Sequence, residues 1–172
     1  MWNVTWWSDP IFFGRYPEDG LKIYKEFLPN ITDEDMELIS QPIDFYAQNI
    51  YSGQEIRMGG DGKPEVVDEP IGSPQSERHW SITPKCLQWG PRFLYERYGL
   101  PIYITENGMS AHDVISLDGK VHDPNRIDFT QRYLLELEKA TDTADIRGYF
   151  HWSLMDNFEW TLGDHKIFKS VF

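Results

Sequence analysis

The chain has 172 residues, of which 16 are basic and 28 acidic, giving a formal charge of -12 at pH 7, and 15% of it is aromatic. Such an acidic balance, with no basic stripe to offset it, argues against nucleic-acid or anionic-membrane partners. No apolar run reaches the roughly 18 residues of a membrane span, and Met1-Trp2-Asn3 opens without the charged region and apolar core of a secretory signal, so a cytoplasmic protein is expected.

In chain order, Thr32 with Asp35 forms a capping pair that predicts a short helix reaching about Ile39. Ile43 to Tyr51 reads as a strand. Gln54 to Glu77, punctuated by Gly59-Gly60, Gly62, Pro64, Pro70, Gly72 and Pro74, reads as a long surface loop whose acids face solvent. Thr83-Pro84 opens a helix that ends before Gly99, with a kink or interruption expected at Gly90-Pro91. Pro101 to Glu106 is a second strand. Ser110 to Asp123, with Asp118-Gly119, reads as another loop built around a turn. Asp123-Pro124 then opens a helix to about Ala140, with Phe129, Tyr133 and Leu137 spaced for one buried stripe. Arg147 to Trp152 is the third strand. Cys86, the single cysteine, excludes an intrachain disulfide and is expected to pack as a small hydrophobe.

Two segments carry chemistry. Ile102 to Gly108 reads I-Y-I-T-E-N-G, an apolar run that ends in a carboxylate with a helix breaker two residues later. In parallel α/β folds strands are buried on both faces and active sites collect where they end, so Glu106 lies where catalysis commonly sits. A salt-bridged or solvated acid at a strand end is the plain alternative. Ile146 to Trp160 is strand-like at first and then crowds Trp152, Asp156, Asn157, Glu159 and Trp160 beyond the strand. Aromatic faces stack on sugar C–H surfaces, and carboxylates or amides take paired hydroxyls, so this mixture suits a carbohydrate subsite. An aromatic core with capping acids is the competing reading, but it requires buried polar groups to find partners.

Together these segments resemble the C-terminal part of glycoside hydrolase family 1, the β-glucosidase and 6-phospho-β-glucosidase family. W-W-S-D-P-I-F-F-G-R-Y-P at Trp6 to Pro17 resembles the segment after barrel strand five, and D-F-Y-A-Q-N-I-Y-S-G at Asp44 to Gly53 resembles strand six. I-T-E-N-G resembles the strand-seven nucleophile motif, and H-W-S-L-M-D-N-F-E-W the strand-eight glycone motif. The implied fold is α/β: a partial TIM (β/α)8 barrel holding about the last three strands and their helices, with residues 1–172 as a single C-terminal partial-barrel fragment. A complete barrel typically needs about 250 residues.

The resemblance implies roles for residues. Glu106 matches the nucleophile and Tyr51 the tyrosine that hydrogen-bonds it, while Asn49 is similar to the strand-six amide nearby. Trp152, Glu159 and Trp160 match the glycone subsite, Phe168 an aromatic wall and Trp80 the aglycone-side tryptophan. Glu159-Trp160 is the pattern for an unphosphorylated glycone. A retaining mechanism needs two carboxyl groups about 5 to 5.5 Å apart, one attacking the anomeric carbon and one protonating the departing oxygen. The family places its acid/base in T-x-N-E-P, and no Asn-Glu-Pro occurs in this chain. After Gly163 the family continues differently, with Asp164, Ile167 and Lys169 departing from its pattern.

No metal or cofactor is expected, since His79, His112, His122, His151 and His165 show no ligand spacing. The expected partners are a β-glucoside or related saccharide and a missing N-terminal barrel fragment or second copy that completes the sheet. Two functions fit: the nucleophile-bearing part of a retaining β-glycosidase, or an inactive carbohydrate-binding or complementation fragment.

Overall fold

A computed structural model describes residues 2–155 and residue 160, with side chains from Val4 onward. The chain divides into two compact units, Met1–Asp44 and Phe45–Phe172. The first unit is helical: α1 (Trp2–Phe13), α2 (Glu18–Ile23), a 3-10 turn (Lys25–Phe27) and α3 (Asp33–Ile39). Gly14 follows α1 with φ +63°, a left-handed conformation that glycine adopts without strain. Trp6 packs between Tyr16 and Tyr24, with ring centroids 4.7 and 5.1 Å away. The Thr32 hydroxyl accepts from the Asp35 N–H at 3.1 Å and the Asp35 carboxylate accepts from the Thr32 N–H at 3.0 Å, the reciprocal cap expected from sequence.

The second unit holds β1 (Tyr46–Asn49), β2 (Ile56–Met58), β3 (Pro64–Val66), α4 (Cys86–Tyr98), β4 (Ile102–Asn107), α5 (Pro124–Thr141) and β5 (Ile146–His151). All three expected strands form, and they pair in parallel in the order β1-β4-β5. This is the arrangement of part of an α/β barrel. β1 is shorter than Ile43 to Tyr51 because its ladder starts only where its neighbour does, Tyr46 opposite Ile102, just past Pro101. Gln54 to Glu77 is not loop throughout. β2 and β3 form an antiparallel hairpin closed by the Gly59 N–H to Lys63 carbonyl bond, and Arg57 pairs with Glu65 across it. Alternation of Ile56, Met58 and Val66 with polar residues was the signal for strands, hidden by the surrounding glycines and prolines.

Helix α4 ends at Gly99 in the left-handed region, φ +69°, and α5 starts with Pro124 in its first turn. α4 runs through Gly90-Pro91 as one element rather than being interrupted there. The residue before the proline ring is a glycine, with no Cβ to clash, and α4 packs along α5, which helps hold it helical. The stripe Phe129, Tyr133 and Leu137 is buried as the spacing predicts. Ser110 to Asp123 contains the expected turn: Gly119, φ +77°, donates to the Ser116 carbonyl between the bridged residues Ile115 and Val121.

Among the described residues of this unit, the sheet is covered on one face only. Ile102 and Ile104 are fully buried, and Tyr46 stacks on Tyr98 of α4 with centroids 5.2 Å apart. On the opposite face Phe45 touches Tyr103 at 4.9 Å, Thr105 is exposed, and Phe150 is 57% exposed. Strands of a complete parallel fold are buried on both faces, but in a partial barrel the inner face fills only when further strands close around it. No helix among the described residues is long and apolar enough to cross a membrane.

Candidate active site

Strict alternation would send Glu106 to the helix side with Ile102 and Ile104. Instead the β4–β5 register shifts between Ile104 and Asn107, and β1–β4 shifts between Gln48 and Asn49. Irregularities of this kind re-aim side chains at the ends of strands. Asn107 therefore takes the buried position and Glu106 is left half-buried at the rim. There the Tyr51 hydroxyl, just beyond β1, donates to Glu106 Oε2 at 2.6 Å. Beside them the Thr105 hydroxyl donates to Asn49 Oδ1 at 2.7 Å, which brings Asn49 to the same strand ends.

Trp80 packs edge-on to Tyr51, centroids 5.3 Å apart, with the Arg78 guanidinium 5.2 Å above its ring. It is 40% exposed. Trp152 lies half-buried just past β5, and its peptide bond to Ser153 is cis. With Thr105, Phe150, His151, Ser153 and Leu154 it lines an open groove of about 410 Å³. Gly108 lies against this turn of the chain. A Cβ on it would lie 1.9 Å from the Trp152 carbonyl oxygen, so the residue is a glycine for close approach of two chain segments.

The structure thus joins Glu106, Tyr51, Asn49 and Trp80 in one neighbourhood and sets Trp152 on the groove that begins at Thr105. Trp160 is 85% exposed. Glu159 and Phe168 lie outside the described residues. Most loop acids face solvent as expected, but Glu77 does not: its side chain is 9% exposed and meets His112 Nε2 at 3.4 Å. The segment after β4 folds back over it, since the Glu77 N–H bonds the Ser110 carbonyl at 3.3 Å.

Three supporting residues escaped sequence reasoning. Buried Arg126 donates to the Met109 and Ala111 carbonyls and to Asp113 and Asp123, tying the segment after β4 to α5. Its signal was a cation in the first turn of a helix, where the dipole disfavours positive charge unless other partners exist. Tyr133, read only as core, accepts from the Thr83 N–H and donates to the Tyr51 carbonyl at 3.1 Å. Asn107, quoted only as part of a motif, is fully buried at the end of β4. Burial pushes the Tyr149 hydroxyl up to about 12 and the Cys86 thiol up to about 12, so both keep their protons at neutral pH. Burial, and then the charge of Arg126, holds His151 below the usual imidazole range.

A hydrogen-bonded carboxylate at the carboxyl ends of parallel strands stands where active sites collect in α/β folds, and comparison with known proteins makes the class specific. The family model for glycosyl hydrolase family 1 matches residues 1–172, and the chain belongs to that family. Beta-glucosidase A of Thermotoga maritima is 38% identical over 172 residues, covering 99% of this chain and 39% of the relative. The bifunctional beta-D-glucosidase/beta-D-fucosidase of Bifidobacterium breve is 37% identical, covering 93% of this chain and 39% of its own length. A solved structure of the Thermotoga maritima beta-glucosidase in complex with castanospermine superposes with a TM-score of 0.82 at 37% identity, covering 96% of this chain and 38% of that one. The chain therefore spans about two-fifths of the length of these relatives.

Proposed function

We propose that this chain is the C-terminal part of a retaining β-glycosidase acting on β-glucosides, bearing barrel strands six to eight as β1, β4 and β5. The observation that carries the reading is the Tyr51 hydroxyl 2.6 Å from Glu106 at the carboxyl ends of parallel strands. In the proposed reaction Glu106 attacks the anomeric carbon and forms the glycosyl-enzyme. Tyr51 favours the charged carboxylate by donating to it. Trp152, Glu159 and Trp160 grip the glycone, Asn49 stands by the nucleophile, Trp80 borders the aglycone, and Phe168 forms a wall. The acid/base is supplied by an N-terminal barrel part, because the 172 residues, and so any second copy of them, contain no Asn-Glu-Pro. Turnover of cellobiose by the chain alone is then negligible, since general acid help is worth about 10²- to 10⁴-fold and open-barrel positioning compounds the loss.

The test adds the N-terminal remainder of the Thermotoga maritima relative and an activated 2-fluoro-glucoside, which slows the second step and traps the intermediate. Mass spectrometry is expected to find the sugar on the peptide containing Glu106, and none in Glu106→Gln. Label that persists in the variant removes the assignment. The absence of Asn-Glu-Pro also favours a second reading, a non-catalytic carbohydrate-binding or complementation fragment. Glucoside binding by the mixture with neither label nor turnover selects it.

A further inference from the structure

Asn107 is fully buried between three strand ends. Its Nδ2 donates to the Ile50 carbonyl at 2.8 Å, and its Oδ1 accepts the Tyr149 hydroxyl at 3.0 Å. Its carbonyl accepts the Trp152 N–H at 2.8 Å, and the Glu106 carbonyl accepts the Ile50 N–H at 2.9 Å. The orientation of the carboxamide follows from its partners. A backbone carbonyl can only accept, so the nitrogen must face Ile50, and the oxygen then faces Tyr149. Tyr149, half-buried and protonated, is able to donate. The His151 Nδ1, 3.3 Å from the same hydroxyl, then supplies a hydrogen rather than receiving one.

One side chain thus spans β1, β4 and β5 at their carboxyl ends. Ile50 is the neighbour of Tyr51, and Asn107 is the neighbour of Glu106. We propose that Asn107 is a positioning residue: its carboxamide fixes the Ile50 peptide against β4 and so sets the Tyr51–Glu106 contact. A carboxylate in its place has no donor for Ile50, and a hydrocarbon has neither group, so the residue type follows from the two opposite partners. Tyr133 fixes the next carbonyl, that of Tyr51, from the α5 side. The role in catalysis rests on the function proposed above. Displacing a reacting group by about 1 Å costs on the order of 10²-fold in rate, so a clamp one residue from each partner has leverage.

The chain labelled with ¹³Cζ-tyrosine tests this without any glycoside chemistry, so its outcome is separate from that of the labelling experiment. The Tyr51 resonance is assigned by its loss in Tyr51→Phe, and its unpaired position is read from Glu106→Ala. Asn107→Ala is expected to move the resonance to that unpaired position while Tyr46, in the core of β1, stays in place. Tyr149→Phe, which keeps the bond to Ile50 but frees the carboxamide oxygen, is expected to move it part of the way. It also serves as the readout if Asn107→Ala unfolds, recognised by a collapsed Tyr46 resonance. A Tyr51 resonance unchanged in folded Asn107→Ala, or in Tyr149→Phe when the alanine variant unfolds, overturns the proposal. So does one already insensitive to Glu106→Ala.

Discussion

The helix side and the open side of the β1-β4-β5 sheet are built from similar residues but held very differently. On the helix side Ile102 and Ile104 are fully buried, Tyr98 of α4 stacks on Tyr46 of β1, and α5 packs along α4. On the open side Phe45 is 49% and Phe150 57% exposed, with no layer over them among the described residues of this unit. The Glu106–Tyr51 pair sits on the boundary between the two. Its backbone is anchored from the helix side, through Asn107 and Tyr133, while the carboxylate faces the rim. The chain by itself therefore organises the Glu106–Tyr51 contact, while the opposite face of the sheet stays uncovered among the described residues of this unit.

Substitutions on the two sides should separate sharply. Ile104→Ala, at a fully buried position, is expected to destabilise the chain by about 2 to 5 kcal/mol through lost transfer energy and a cavity. Urea unfolding followed by tryptophan fluorescence measures it, and a loss below the bottom of that range would mean the helix side is not a packed core. Gly108→Ala comes next, at about 1 to 3 kcal/mol, because the new methyl meets a backbone oxygen that cannot swing aside as a side chain would. The same unfolding curve reads it, and an unchanged midpoint would contradict the close approach of Trp152.

A pH series sharpens the boundary. Since His151 is held below its usual range, the unfolded chain binds this proton first as pH falls below about 6.5, so the stability tied to the neutral imidazole is present above that pH and lost on acidification. The parent midpoint should fall more steeply between about pH 7 and pH 5 than that of His151→Gln; equal slopes would remove the histidine from the account. The smallest effect belongs to the open side. Phe150→Ala in the isolated chain should stay within about 0.5 kcal/mol of the parent, as surface changes generally do. A core-sized loss would show that something already covers that face.

Much of this was legible in advance, for reasons particular residues make clear. Thr32 and Asp35 set a helix start through local hydrogen bonds, and Phe129, Tyr133 and Leu137 announced one face of α5 by spacing alone. Glu106 and Tyr51 were identified as a pair from family motifs, and they lie in contact. Less visible was the β2–β3 hairpin, since its strands are short and set among residues that read as loop. Of the kink or interruption expected at Gly90-Pro91, the interruption does not occur, because a local proline rule took no account of the packing against α5.

What the sequence by itself determined is whatever rests on neighbours along the chain: caps, helix stripes, the three apolar strand runs, and the chemical type of each side chain at their ends. What only the tertiary structure decided is where those side chains point. The register shift after Ile104 exchanges the roles of Glu106 and Asn107, and no periodicity predicts it, because it depends on how β1 and β5 pair with β4. Likewise Gly108 reads as a chain breaker in one dimension and proves in three to be the space for the Trp152 carbonyl. Side-chain direction in a sheet is set by pairing across strands far apart in sequence, and that is information a single strand does not carry.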